Sequence, residues 1–443
     1  MAQSLYKKYF EIVPVNNITT FAVNGGTNQI SFLIPPVQGA SLQTSDMVFS
    51  GTLTIKKDDG TSYTQADIAT TSISMDSVNG AHNFISRVDI SSQGSGNALI
   101  EQRLQYPLIT KYRRGVLSKN DLANGKHNIQ GLCSTNSNGA RNFLTSNNDV
   151  GHDFAIQLNT GFLRDNVQQV NLGAANGLLV KIYLSEVSNS MFSIDPSTSA
   201  LNSDFNIELT NVKLFGRYNF VTQPVLAALT GVQFRKITDV ISVVQSSNDT
   251  LAVSPMVKSL HKIVNIYQPN STTSNNVDKN NTQTNQIVGL KKYAISNNGS
   301  RHPYNYDIEI SPSMSELIFD DGDQGRVTGN AEQIYFFING LNGQYPPVHS
   351  LVNASNQALA QDDLINNKNN DTLNVNGIAI DYSYGFSGFS VPMTNNLLQF
   401  NVESSVLTND DIVAAASRDQ TQTQNSFIEY DSMLSYAGMQ VSQ

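Results

Sequence analysis

The chain has 443 residues, of which only 14% are charged, with a formal net charge of −9 and a pI near 5.1. Charge this sparse, against roughly 25% in an average soluble protein, leaves a polar surface of Asn, Ser, Thr and Gln, and interfaces share that depletion of Lys, Glu and Asp. The acidic balance argues against wrapping of nucleic acid over a broad basic surface, because neutralising phosphates needs clustered Lys and Arg.

At the N-terminus, Met1 to Phe10 carries charges and tyrosines where a secretory signal needs an apolar stretch. No window approaches the roughly 20 apolar residues of a membrane span, so the expectation is a soluble product made without a secretory leader. The pair Lys7-Lys8 reads as a solvated face. Strict alternation marks half-buried strands: Ile30, Phe32 and Ile34 share one face, and Leu53 and Ile55 alternate with Thr52 and Thr54. Leu99, Ile100, Leu104, Leu108 and Ile109 fall near helical spacing and predict a helix over Asn97 to Arg114, interrupted at Pro107 and ending in the basic group Lys111-Tyr112-Arg113-Arg114.

Phe205 to Val221 is a strand region that closes a first half, and Thr222 to Gln233, with Pro224 and Gly231, reads as a connector. Strand pattern restarts at Ile237 to Val244. A chain of this length exceeds the usual domain of about 100 to 200 residues, and the break predicts two units, residues 1–222 and 223–443. The halves run through similar events. Ile30 to Lys56 is strand, Pro-containing turn, strand, as is Leu251 through Pro255 to Tyr267; Ile90-Ser91-Ser92-Gln93-Gly94-Ser95 is echoed by Ile295-Ser296-Asn297-Asn298-Gly299-Ser300. Such order favours a duplicated fold.

Gln268 to Ile287 and Gln361 to Asp371 are too polar to offset the cost of ordering and read as exposed loops. Weaker helices are predicted at Leu351 to Ile365 and Asp410 to Ser417. Near the end, Ile378, Ile380, Tyr382 and Tyr384 share a strand face opposite Ala379, Asp381 and Ser383, and Leu398, Phe400 and Val402 alternate with Gln399, Asn401 and Glu403. Many short strands separated by Asn-Gly, Gly-Gly, Asp-Gly and Pro-Pro turns predict an all-β sandwich or jelly roll with a few short helices in loops.

Chemistry is sparse. A phosphate-binding loop, a Gly-x-Ser-x-Gly elbow, a His-Glu-x-x-His helix and a dinucleotide-binding glycine pattern are all missing from the sequence. His82, His127, His152, His261, His302 and His349 lack ligand spacing; His152-Asp153 could pair a base with its orienter but reads as a hydrogen-bonded loop pair. Cys133, the single cysteine, forbids an intrachain disulfide and reads as a small buried residue. Asp320-Asp321-Gly322-Asp323 offers oxygen ligands suited to calcium but lacks the EF-hand register and reads as a solvated turn. Asn-x-Ser/Thr triplets such as Asn270-Ser271-Thr272 are expected by chance in so Asn- and Thr-rich a chain. The expectation is no catalytic, cofactor or metal site.

Gly80-Ala81-His82-Asn83-Phe84-Ile85-Ser86-Arg87-Val88-Asp89-Ile90, with the Ile100-Glu101 stretch leading to Tyr106, is similar to the first-domain segment of double-jelly-roll major capsid proteins of virophage, polinton and adintovirus type. Thr210 to Val221 resembles the strand closing that domain, and Gly377 to Ser383 with Leu397 to Ser404 resembles the end of the second. The resemblance implies two tandem eight-stranded jelly rolls in a non-enzymatic virion protein made in the host cytoplasm or nucleus. It further implies a homotrimeric, pseudo-hexameric capsomer in an icosahedral DNA-virus shell, with neighbouring capsomers, penton and minor capsid proteins as partners and at most weak genome contact on the inner face. The competing expectations are another virion component, a penton or receptor-binding spike, and a β-sandwich carbohydrate-binding protein or enzyme. The absence of Trp weighs against the last, since sugar sites favour aromatic platforms.

Overall fold

A computed structural model describes residues 6–15, 18–22, 28–57, 59–64, 72–75, 79–93, 98–115, 151–164, 169–185, 191–194, 205–229, 231–244, 249–253, 260–269, 290–297, 300–302, 308–309, 332–339, 374–383, 400–406, 422–435 and 440–442. Its first strands are β1 (Tyr6–Ile12), β2 (Thr20–Ala22), β3 (Gln29–Ile34), β4 (Ala40–Lys57), β5 (Ser72–Met75), β6 (Ile85–Ser92), β7 (Leu99–Arg103), β8 (His152–Gln157), β9 (Gln169–Val170), β10 (Leu178–Leu184), β11 (Met191–Ile194) and β12 (Phe205–Phe220). There follow β13 (Gly231–Val244), β14 (Asp249–Val253), β15 (Leu260–Pro269), β16 (Leu290–Asn297), β17 (Ser300–His302), β18 (Ile308–Glu309), β19 (Glu332–Asn339), β20 (Asn374–Ser383), β21 (Phe400–Val406), β22 (Gln422–Ser435) and β23 (Gln440–Ser442). Helices are short: a 3-10 helix (Gly80–Phe84), α1 (Tyr106–Gly115), α2 (Gly161–Arg164), α3 (Leu172–Ala175) and α4 (Gln223–Ala228).

Every sheet pairing is antiparallel, and among the described residues each sheet draws its strands wholly from before or wholly from after α4. Before it, one sheet runs β1-β12-β4-β8, with β2 on β12 and β9 on β4, and another runs β3-β10-β6-β7; β11 and β5 form a separate pair. After it, one sheet runs β13-β22-β15-β20-β19, with β23 on β22, and another runs β14-β21-β16-β17, with β18 on β16. The two orders correspond strand for strand: β1, β3, β4, β6, β7, β8, β10 and β12 occupy the places that β13, β14, β15, β16, β17, β20, β21 and β22 occupy later.

The core of the first set follows from alternation. In β3, Ile30, Phe32 and Ile34 are buried while Leu33 is exposed, as their spacing predicts. Across β10 they oppose Ile182, Val180 and Leu178, which oppose Val88, Ile90 and Ser92 of β6. The facing sheet supplies Leu42, Phe49 and Leu53 of β4, Phe154 and Ile156 of β8, and Leu209 and Leu214 of β12, all buried. Phe49 meets Phe32 edge-on at 6.1 Å between ring centres and Phe154 at 5.4 Å; Phe154 meets Phe84 at 5.0 Å. Burying such a ring contributes about 1.5 to 3 kcal/mol. Strand β12 slips register against β4 between Thr210 and Lys213, where Asn211 takes φ +50°. This bulge falls where its free side passes from β2 to β1.

Two sequence expectations are corrected. Asn97 to Arg114 is not one helix: Leu99–Arg103 is β7, paired to β6, the chain turns at Gln105 (φ +44°), and α1 begins at Tyr106. Pro107 starts the helix instead of interrupting it, since the first turn needs no proline N–H. The strand was hidden because its inward positions carry Glu101 and Arg103, whose charge masks the alternation. The connector Thr222 to Gln233 contains α4, again with proline in the first turn, and β13 starts at Gly231, six residues before Ile237. Phe205 to Val221 is strand β12 almost throughout. The helices expected at Leu351 to Ile365 and Asp410 to Ser417, the Gln361 to Asp371 loop and nearly all of Gln268 to Ile287 lie outside the described residues.

Candidate functional site

Among the described residues, those singled out for chemistry do not converge. His82 is buried in the 3-10 helix, its Nδ1 2.8 Å from Tyr106 Oη, and Tyr106 Oη accepts the Asn159 N–H at 2.9 Å. Asn79 Nδ2 donates to the Pro107 carbonyl at 2.9 Å. These bonds pin the 3-10 helix to the start of α1, a structural use of histidine. His152 and Asp153 sit on strand β8, not a loop, so their side chains leave on opposite faces; Asp153 instead accepts from Thr52 Oγ1 at 2.7 Å. His261 and His302 fall on separate strands, β15 and β17. Lys7 and Lys8 are exposed on β1, and Lys111 to Arg114 lies along α1. His127, His349, Cys133, Asp320 to Asp323 and Asn270 to Thr272 lie outside the described residues. Among the described residues no group of three or more His, Cys, Asp or Glu could hold a metal, and no helix is long and apolar enough to cross a membrane.

What the fold does assemble is a buried polar seam where the first sheets meet β13. Glu101 and Arg103, both fully buried, pair at 2.8 Å. Glu101 also accepts the N–H groups of Gly161 at 3.0 Å and Phe162 at 2.7 Å, so both carboxylate oxygens are used. Arg103 Nη1 reaches across to the Ile237 carbonyl on β13 at 3.3 Å. Beside this cluster Phe162 packs edge-on against Phe234 at 5.1 Å. A Cβ on Gly161 would stand 1.5 Å from the Arg235 carbonyl oxygen, so α2 and β13 touch backbone to backbone. Sequence reading missed this seam: Glu101 and Arg103 meet partners 60 to 134 positions away, and no local pattern marks them.

The seam perturbs its titratable neighbours. Burial raises the Asp239 carboxyl above its ordinary range, an effect the nearby Arg103 opposes, and Asp239 Oδ2 finds no hydrogen-bond partner among the described residues. Burial also lowers the Lys236 ammonium, with Glu101 pulling the other way. A raised folded-state carboxyl penalises folding at neutral pH and relieves that penalty as pH falls through its folded value toward the ordinary one. Asp239→Asn is therefore expected to raise the stability of the folded chain at pH 7 by about 1 kcal/mol, with the gain shrinking near pH 4. Urea midpoints followed by circular dichroism at both pH values test this; a gain that grows on acidification contradicts it.

The second feature is the flank of β1, exposed among the described residues. Strand β1 ends its sheet, pairing with β12 and packing near β3. Tyr6 is 56% and Tyr9 62% exposed, with Leu33 of β3 also exposed. Tyr6 stacks on Phe220 at 4.3 Å and Phe10 meets Tyr218 edge-on at 4.6 Å, which fixes the strand on its neighbour. By contrast, charges on the outer face of the β1-β12-β4-β8 sheet are internally paired: Lys56 with Glu208, Lys213 with Glu11, and Arg217 with Asp46. Exposed pairs of this kind contribute about 0 to 1 kcal/mol each but leave that face hydrophilic.

No protein-family model matches the sequence, and no curated protein matches it. Solved structures do. The virophage Sputnik structure from cryo-EM aligns with a TM-score of 0.57 at 11% identity, covering 100% of this chain and 89% of that one. The PBCV-1 VP54 structure fitted into a cryo-EM reconstruction of Sputnik aligns at 0.54 and 9% identity, covering 100% and 98%. The mavirus major capsid protein aligns at 0.51 and 14% identity, covering 98% and 89%. The likeness is one of fold: a mostly antiparallel, jelly-roll-like architecture with short helices, extending over nearly the whole chain.

Proposed function

We propose that this chain is a major capsid protein, a structural subunit whose residues 1–222 and 223–443 form two tandem eight-stranded jelly rolls. The observation that carries the reading is the repeated strand order among the described residues, β1-β12-β4-β8 with β3-β10-β6-β7, then β13-β22-β15-β20, extended by β19, with β14-β21-β16-β17. Two such units in one chain favour a capsomer subunit over a penton, which needs one. The dispersal of histidines and carboxylates among the described residues supports a structural role over a carbohydrate-processing one.

In this reading three copies close into a ring of six jelly rolls, a pseudo-hexagonal capsomer that tiles an icosahedral DNA-virus shell. Sheet edges invite uncontrolled pairing when exposed, and closed cyclic symmetry both hides them and stops growth at a defined number. Contacts with neighbouring capsomers, penton and minor capsid proteins then fall to the polar, weakly charged surface, and the acidic charge keeps genome contact weak. Size-exclusion chromatography with light scattering is expected to give three times the 48.3 kDa chain mass, and negative-stain images to show threefold particles of hexagonal outline. A monodisperse monomer, or a pentamer, overturns the capsomer reading.

A further inference from the structure

We infer that the hydrogen-bonded chain of His82, Tyr106 and Asn159 is an acid-sensitive latch on the joint between the two sheet sets, closed while His82 is neutral and released when its ring takes up a proton. These contacts lie within one chain, so the latch is independent of the capsomer reading.

The polarity of the chain follows from its donors. The Asn159 N–H is a fixed donor to Tyr106 Oη at 2.9 Å, and the hydroxyl proton turns toward His82 Nδ1, 2.8 Å away. Nδ1 is then the acceptor and the ring proton sits on Nε2, the neutral imidazole. All three residues are buried: His82 is 5%, Tyr106 0% and Asn159 1% exposed. A proton from solvent placed on Nδ1 turns that acceptor into a donor, sets two protons against each other across the contact, and creates a charge in a buried place. The disturbance leads to the joint. Asn159 runs into Thr160, whose Oγ1 accepts the Leu163 N–H at 3.0 Å, and α2 offers the Gly161 and Phe162 N–H groups to Glu101. Glu101 pairs with Arg103, which reaches the Ile237 carbonyl of β13. Releasing Asn159 from Tyr106 therefore frees the residue that leads into α2.

The charged groups on the elements packed around the 3-10 helix agree. Those elements are β5, β6, β8 and α1. β5 carries no titratable residue. On β6, Asp89 is held by Arg87 at 2.7 Å, and on β8 Asp153, beside His152, accepts from Thr52 at 2.7 Å. Beyond Tyr106, the charged residues of α1 are Lys111, Arg113 and Arg114, all basic. The carboxylates of these elements are thus engaged elsewhere, and the remaining charge favours a neutral ring. At the joint itself Asp239, raised by burial, answers acid in the opposite sense and gains stability as pH falls. Acid loosening is therefore the signature of the histidine: a folded state that uses Nδ1 as an acceptor binds fewer protons than the unfolded chain, so its stability drops as pH falls through the ordinary histidine range.

Hydrogen exchange on the full chain, corrected for the intrinsic pH dependence of amide exchange, tests the latch. Protection over Gly80–Phe84 and residues 159–164 is expected to fall by up to about tenfold per pH unit below about 6.5, the ordinary histidine value. His82→Asn keeps an acceptor oxygen near the place of Nδ1 but cannot be charged, and is expected to hold its protection down to about pH 5.5, one unit below that value. Tyr106→Phe breaks the chain and is expected to show the low protection already at neutral pH. Native protection that does not change with acid, an acid loss that persists in His82→Asn, or a Tyr106→Phe variant as protected as the native chain overturns the latch. Should the variants lose their fold, nitrogen NMR of the histidine-labelled native chain decides. An Nδ1 without a proton at neutral pH, protonated as protection is lost, supports the latch; an Nδ1 that already carries a proton at neutral pH overturns it.

Discussion

Arg103→Met is expected to destabilise the folded chain by about 3 to 5 kcal/mol, the loss typical when one partner of a buried ion pair is removed. Arg103 and Glu101 have no exposed surface, so water cannot replace the missing guanidinium. Glu101 would retain the Gly161 and Phe162 N–H bonds, which moderates the loss without cancelling a buried negative charge. Removing both charges together should cost less than the two single changes summed, because a well-packed apolar pair does not strand a charge. Urea unfolding of Arg103→Met, Glu101→Gln and the double variant measures the coupling directly. The guanidinium also bridges to the Ile237 carbonyl of β13. Its loss should therefore broaden or split the calorimetric transition as the two sheet sets come apart at different temperatures. A single change costing under about 1 kcal/mol, as an exposed pair would, contradicts this account of the seam.

Where side chains alone set the pattern, the fold was legible in the sequence. Ile30, Phe32 and Ile34, Leu53 and Ile55, and the long run from Phe205 were read as strands because apolar residues occupied every second position, and the buried positions match. The correspondence of halves was visible in the Ile90 and Ile295 segments, which become the ends of equivalent strands β6 and β16. Legibility failed where tertiary context reverses a residue's usual preference. β7 buries an acid and a base, so its alternation reads as polar, and Leu108 and Ile109 two turns on lent it a helical spacing that belongs to α1. His152-Asp153 read as a loop pair because both are polar, yet Asp153 faces Thr52 across a strand pair. The seam is a product of topology: nothing local to Glu101 or Arg103 marks them as partners of Gly161 and Ile237 until the strands are in place.

Gly161→Ala tests that topology at the scale of a single methyl group. Its Cβ would lie 1.5 Å from the Arg235 carbonyl oxygen and 2.7 Å from the carbonyl carbon, both backbone atoms that no rotamer change can move. Accommodation requires α2 and β13 to separate, and that separation lengthens the Gly161 and Phe162 N–H bonds to Glu101, opens the Phe162 and Phe234 contact and draws Ile237 from Arg103. Overpacking at deformable sites costs about 1 to 3 kcal/mol; here the clash is with main chain and four interactions share the displacement, so a loss of about 3 kcal/mol or more is expected. Gly173→Ala on α3 is the comparison, since the nearest atom to its Cβ would be the Asn171 side-chain oxygen at 3.3 Å, which can give way. If thermal unfolding finds the two alanine variants equally stable, the contact between α2 and β13 is looser than described and the sheet sets are not locked there. If Gly161→Ala alone falls, the backbone contact between α2 and β13 is what holds the two sheet sets together at this point.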